Sequence, residues 1–286
     1  MVVDCHVHMN PFWLADDAAI ETFRAHQPDF ERSWEMAEDP TRFLEYLDEQ
    51  DVDAAVCINY VSEDIVGYTE AVNEYAAEFR DADPDRLKGI AGVALDGTAE
   101  DAHRRMDRIL DDLDLDGVKI HPPHQDVRPN AYRDPPVGNN NETLPVVYER
   151  CAEADVPVVI HTGTSFFPGA RNVHADPIYV DDVCLDFDCT VVMAHGGRPM
   201  YYDTAFYLYR RHDDLYFDIS SIPPRDLLEA FPRLESIADV TMFGSDWPAP
   251  MIPDIRDTVE AVRDLGLSAE ATEGILDGVA RDVFDL

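Results

Sequence analysis

Eight short apolar runs rich in valine and isoleucine set the strongest limit on how this chain can fold. They are Met1–Cys5, Ala54–Asn59, Lys88–Ala94, Gly117–Ile120, Val156–Ile160, Thr190–Ala194, Leu215–Ile219 and Thr241–Gly244. They recur roughly every 35 residues, the spacing of βα units in a parallel sheet. A strand with one wet face would alternate apolar and polar residues, whereas these near-continuous runs suit strands covered on both faces. Between them, the amphipathic stretches Thr41–Gln50, Thr69–Arg80, Ala99–Asp112 and Thr143–Ala154 predict helices, and Ala269–Phe284 predicts a closing one. Eight such units predict closure into a (β/α)8 TIM barrel. The alternative, an open doubly wound sheet, would carry a glycine-rich nucleotide loop after its first strand, and there is none. With no Gly/Ser linker and no internal repeat, residues 1–286 read as one barrel domain, slightly longer than the roughly 250 residues typical of this fold.

The longest irregular segments are Met9–Asp39, His121–Asn141 and Thr162–Asp176. Each follows a predicted strand, so each belongs at the carboxyl-terminal face, where barrel active sites are built. The second contains Pro122, Pro123, Pro129, Pro135 and Pro136 and is expected to be a stiff loop.

Charge narrows the partners. Lys plus Arg number 22 against 59 Asp plus Glu, a net charge of −37. Such a surface repels phosphates and anionic lipids, which argues against nucleic-acid and membrane partners. The acids are dispersed in short pairs such as Asp16-Asp17, Asp111-Asp112, Asp181-Asp182 and Asp213-Asp214. That distribution predicts a solvated face all round, as in a halophilic protein. No run of about 18 apolar residues predicts a membrane span, and MVVDCHVHMN lacks a basic segment followed by an apolar stretch, so a cytoplasmic location is expected. The cysteines at 5, 57, 151, 184 and 189 form no C-x-x-C pair and read as reduced thiols, with Cys57 and Cys151 in the core.

The chemistry sits at the strand ends. In Asp4-Cys5-His6-Val7-His8 the alternation of a strand puts His6 and His8 on one face. An H-x-H pair by itself is equally an ordinary polar strand end. Val158-Val159-Ile160-His161 and Val192-Met193-Ala194-His195, however, place a histidine after the fifth and sixth runs, and Phe243-Gly244-Ser245-Asp246 places an acid after the eighth. Packing alone does not explain four strands that end in His or Asp on one barrel face. Imidazole and carboxylate around an open position suit a catalytic divalent ion.

At these residues the chain resembles the amidohydrolase superfamily, in particular the amidohydrolase-related branch that includes aminocarboxymuconate semialdehyde decarboxylase. The matching segments are Asp4–His8, Gly117–Pro122 (GVKIHP), Pro157–Gly163 (PVVIHTG), Met193–Gly197 (MAHGG) and Phe243–Pro248 (FGSDWP). The resemblance implies a distorted barrel with one divalent ion, Zn2+ first and Mn2+, Fe2+ or Co2+ as alternatives, bound by His6, His8, His161 and Asp246. It implies His195 beside the metal as a proton-handling or water-orienting residue. Ile275–Phe284 lacks the Asn that often occupies that helix, a departure confined to a structural element. In some superfamily members a strand-four lysine is carboxylated and bridges two metals. Lys119 stands two residues before His121 and by alternation shares its face, yet a single ion is the favoured reading. The branch often forms dimers, so a homodimer is an expectation carried by the resemblance alone.

For a small-molecule substrate, His121, Lys119, Arg198, Arg171 and Trp247 are the expected contacts, with Trp13, Phe166 and Phe167 near the mouth. His124 and His174 read as solvated loop residues, and His26, His103 and His212 as surface. A divalent ion with an open position lowers the pKa of bound water towards roughly 7. In the first reading the chain is therefore a hydrolase of an amide, lactone or ester, with Asp246 accepting the water proton. In the second, the same ligands serve a non-oxidative decarboxylase of an unsaturated or aromatic acid, with His195 delivering a proton to carbon. A catalytically silent binding barrel is the alternative of another class.

Overall fold

The computed structural model describes residues 1–133, 141–250, 252 and 254–286. All eight predicted runs are strands: β1 (Val3–Val7), β2 (Ala54–Ile58), β3 (Leu87–Gly92), β4 (Val118–Ile120), β5 (Val158–His161), β6 (Val191–Ala194), β7 (Leu215–Asp218) and β8 (Thr241–Met242). They pair in parallel in the order β1-β2-β3-β4-β5-β6-β7-β8. The ends of the sheet meet through a parallel bridge between Val7 and Trp247 and through Cys5 N–H donating to Phe243 O at 2.9 Å. The chain is a (β/α)8 barrel.

Alternation along each strand sorts the side chains into two apolar layers. Val3, Cys5, Val56, Ile58, Ile90, Val159, Val192 and Met242 form a cluster separate from that of their neighbours Val118, Val158, Ile160, Val191 and Met193. The first set fills the barrel. The second packs outward against the helices. Val279, Ala280 and Phe284 join the inner set and close the barrel where its strands begin.

The predicted helices appear at Pro40–Glu49, Val72–Arg80, Ala99–Met106 and Thr143–Ala154. Asp39 caps the first of these through Thr41 N–H, and Thr98 with Asp101 forms a reciprocal capping box at the third. The predicted stretches Ala99–Asp112 and Ala269–Phe284 are continuous but widen into π-helical turns at Asp107–Asp112 and Gly274–Gly278. Met9–Asp39, expected to be irregular, instead holds helices Asp17–His26 and Phe30–Glu38. Their apolar residues Phe12, Phe23 and Phe30 cluster together, beneath too many intervening acids for a clean period. Of the proline-rich segment, Pro135 and Pro136 lie outside the described residues. Among the described residues no helix is long and apolar enough to cross a membrane. All five cysteines are free, with Cys57 and Cys151 buried as expected.

Candidate active site

The strand ends converge as the alternation requires. His6 and His8 project from the end of β1 with their Nε2 atoms 3.3 Å apart. Asp246 Oδ1 lies 3.1 Å from His8 Nε2 and 3.6 Å from His6 Nε2. His195 follows β6, and one ligand atom each from His6, His195 and Asp246 falls within 4.8 Å of the others.

A second layer fixes how these groups face. His6 Nδ1 pairs with Asp218 Oδ2 and lies 3.2 Å from Ser220 Oγ. His8 Nδ1 lies 3.0 Å from Ile58 O. His195 Nδ1 lies 3.2 Å from Ser220 O and 2.8 Å from its Oγ. A carbonyl or carboxylate oxygen only accepts, so each ring donates from Nδ1 and its Nε2 lone pair faces inward. Lone pairs and a carboxylate crowded at these distances repel unless positive charge lies among them. Burial opposes supplying that charge as a proton: it lowers the pKa of His6, against the pull of Asp218, and holds His195 well below the usual imidazole value. Burial alone would raise the Asp246 carboxyl, but the donor and positive groups around it, the Arg198 guanidinium among them, outweigh it and keep Asp246 well below the usual carboxylate range. Neutral imidazoles beside an ionised carboxylate are the donor set a divalent cation takes, so these residues fit a metal.

Backbone strain marks the same place. His195, Ser221 and Asp246, which follow β6, β7 and β8, have φ values of 67°, 56° and 66°. For a residue with a Cβ this conformation costs roughly 1–3 kcal/mol and persists only where surroundings enforce it. Here the Ser221 hydroxyl donates to Asp246 Oδ2, while Asp246 N–H donates to His6 O at 2.8 Å. Two motif glycines answer to close approach. A Cβ on Gly244 would lie 2.5 Å from Asp218 Oδ1 and 2.8 Å from His6 Cβ, and one on Gly196 (φ 53°) would lie 2.5 Å from the Phe217 ring.

A pocket of about 670 Å3, counted to its open mouth, stands over this group and reaches His121, His161, Arg198 and Asn10. Phe23, Tyr60, Phe166 and Phe167 contribute aromatic wall. His161 Nε2 lies 3.1 Å from Gly163 O and donates to it, which leaves the ring's lone pair on Nδ1. The ring itself remains in the pocket, edge-on to His195 at 4.6 Å and stacked on His121 at 3.9 Å. His124 is not solvated as expected. It is buried against His121 at 3.7 Å between Ser62 and Ser165, and burial lowers its pKa to about 3. Its position in a short helical turn, Pro122–Gln125, folds it back under the loop.

Lys119 is fully buried, and its Nζ has no hydrogen-bond partner among the described residues. Burial lowers it to about 8, with Asp218 and Asp246 opposing. Arg198 lines the pocket, is lowered by burial against the pull of Asp246, and leaves Nε unpartnered. Trp247 does not reach the pocket. Its indole packs in the core instead, 3% exposed and 4.8 Å from the Tyr46 ring. Arg171 is exposed and outside the lining. Trp13 is 47% exposed and packs on Trp34 and Tyr75 instead of the mouth. His26, read as surface, is exposed but borders the mouth. The sequence reading missed Asp218, Ser220 and Ser221. An acid inside the apolar run Leu215–Ile219, followed by two serines, was the available signal.

A closed parallel barrel that gathers histidines and an aspartate at the carboxyl ends of its strands belongs to the class of barrel enzymes with a His/Asp centre. The family model described as Amidohydrolase matches residues 3–286. The chain therefore belongs to the amidohydrolase family, a family of metal-dependent enzymes. Among solved structures it is similar to an uncharacterised TIM-barrel protein from Bordetella bronchiseptica, at 20% identity over 99% of this chain and 98% of that one, with a TM-score of 0.78. It is also similar to a probable 2-pyrone-4,6-dicarboxylic acid hydrolase from Acinetobacter baumannii with citric acid bound, at 17% identity over 100% and 99%, TM-score 0.66. A third is 5-carboxyvanillate decarboxylase from Novosphingobium aromaticivorans, complexed with manganese, at 16% identity over 99% and 95%, TM-score 0.65. No curated protein matches the chain.

Proposed function

We propose that this chain hydrolyses a small carboxylate-bearing ester, lactone or amide, with one divalent ion, Zn2+ first, held by His6, His8, His161 and Asp246. The supporting observation is the ionised Asp246 carboxylate, which faces two imidazole lone pairs with one oxygen while Ser221 fixes the other. A bound ion would polarise the scissile carbonyl and acidify the attacking water. Asp246 then accepts the water proton and returns it to the leaving group, its orientation held by Ser221. His195 presents an unprotonated Nε2 to the same space and takes a hydrogen bond from the attacking water. Arg198, a cation on the pocket wall, holds the substrate carboxylate.

A carboxy-lyase is the second reading, favoured by the decarboxylase among the similar structures and by the aromatic wall beside Arg198. The same protein ligands serve both reactions. Elemental analysis followed by assay of the zinc-loaded and manganese-loaded forms separates them: acid release without carbon dioxide is expected, and gas release would replace the hydrolase by the lyase. His161→Ala should lose metal, and His195→Ala should lose turnover. Full retention of zinc by His161→Ala would overturn this ligand set. Arg198→Ala should raise KM for a carboxylate substrate, and an unchanged KM would remove Arg198 as the anchor.

A further inference from the structure

The metal ligands and Arg198 leave part of the pocket unexplained. Asn10 and Gln27 also line it, on the long segment that follows β1. Asn10 is 3% exposed, yet its Oδ1 has no hydrogen-bond partner among the described residues, and the same holds for Gln27 Oε1. An amide buried without a partner is costly, and the cost is removed when a bound molecule supplies the missing bond. Half a turn exchanges an amide's oxygen and nitrogen, so each side chain can offer an acceptor or a donor. Neither carries charge.

Strand order separates Asn10 from Arg198: Arg198 follows β6 and Asn10 follows β1, three strands away around the rim in the order β6-β7-β8-β1. The segment bearing Gln27 is braced across the mouth: Phe23 meets Phe167 edge-on at 5.5 Å, and His26 lies 5.2 Å from Phe166. A site held this way is set before a ligand arrives.

We infer that Asn10 and Gln27 form a second polar subsite, which takes an uncharged group able both to donate and to accept a hydrogen bond, a hydroxyl or a primary amide, on a substrate whose carboxylate Arg198 holds. The inference rests on the proposed use of this pocket for a carboxylate substrate. It adds the residues that choose among carboxylates.

The test is calorimetric binding to the zinc-loaded protein of benzoate and of its 3- and 4-carbamoyl derivatives, which differ only by a primary amide. At least one carbamoyl derivative should bind about tenfold more tightly than benzoate, the expected effect of satisfying buried amides. Asn10→Leu and Gln27→Leu should each cut that preference to about twofold while leaving benzoate affinity in place. Gln27, half-buried at the end of a helix, keeps the test open should Asn10→Leu fail to fold. Equal affinity for benzoate and both derivatives overturns the subsite, as does a preference that survives both substitutions. Because binding is read without turnover, the expected selectivity in a protein that hydrolyses nothing would sink the hydrolase reading and support the subsite.

Discussion

Replacing Asp218 by asparagine tests the centre through an atom that touches no substrate. Asp218 is fully buried; its Oδ2 accepts from His6 Nδ1 and its Oδ1 accepts from Ser220 N–H at 2.8 Å. In Asp218→Asn the amide oxygen must stay on the Ser220 side, because the backbone N–H there can only donate. The NH2 group then faces His6 Nδ1 and donates to it. His6 must accept at Nδ1 and carry its proton on Nε2, the nitrogen turned towards His8 and Asp246. Binding a cation would require reversing that tautomer and breaking the new hydrogen bond, which costs about 1–3 kcal/mol. Loss of a partner behind a metal-binding histidine typically weakens affinity by about 10–100-fold, or about 1.4–2.7 kcal/mol. Competition against a chromophoric zinc chelator at fixed pH measures this, with thermal unfolding of the metal-free variant as the control for folding. A folded Asp218→Asn protein that binds zinc within about twofold of the parent would refute the inward-facing lone pairs, since that ratio is well under one hydrogen bond.

Three further outcomes are expected. Gly244→Ala drives a Cβ into Asp218 and His6 and should destabilise the fold by about 1–3 kcal/mol; an unchanged denaturant midpoint would contradict the packing. Burial holds His124 at about 3, and His121 and His161 well below the usual value, while the unfolded chain protonates near 6.5. Their depressed folded values mean that stability is complete above about pH 6.5 and is lost as pH falls towards the folded values, by about 1.4 kcal/mol per pH unit for each histidine. The slope for metal-free His124→Gln below pH 6 should therefore be shallower by about one proton, and equal slopes would show that His124 is not held neutral. With a net charge of −37, the protein should melt at higher temperature as KCl rises from dilute to molar; a melting point that does not rise would end the halophilic reading.

Some parts of this molecule were plain in the sequence because one physical rule governs each. Strands buried on both faces are mostly apolar, so all eight were visible, and period-two alternation put His6 with His8. Strand-end placement also brought His195 and Asp246 to one group. The misses arise where several rules compete. Trp247 follows Asp246 and was expected in the pocket, but the chain leaves β8 before it, in a left-handed turn at Asp246, and the indole packs on Tyr46. The helices of Met9–Asp39 bury only a few aromatics among many acids, which blurs their period. Asp218 lay hidden in an apolar run, where an acid is tolerated only because His6, far away in sequence, receives it. Tertiary pairing of that kind leaves no local mark.

The seam that closes the barrel also assembles the centre. Ser245 N–H donates to Asp4 Oδ1 across 241 residues, and Asp246 N–H and His8 N–H each cross the same junction. While such a chain is being synthesised, its first strand must wait for almost all the rest before the binding group exists. Cofactor capture is therefore a late event of maturation.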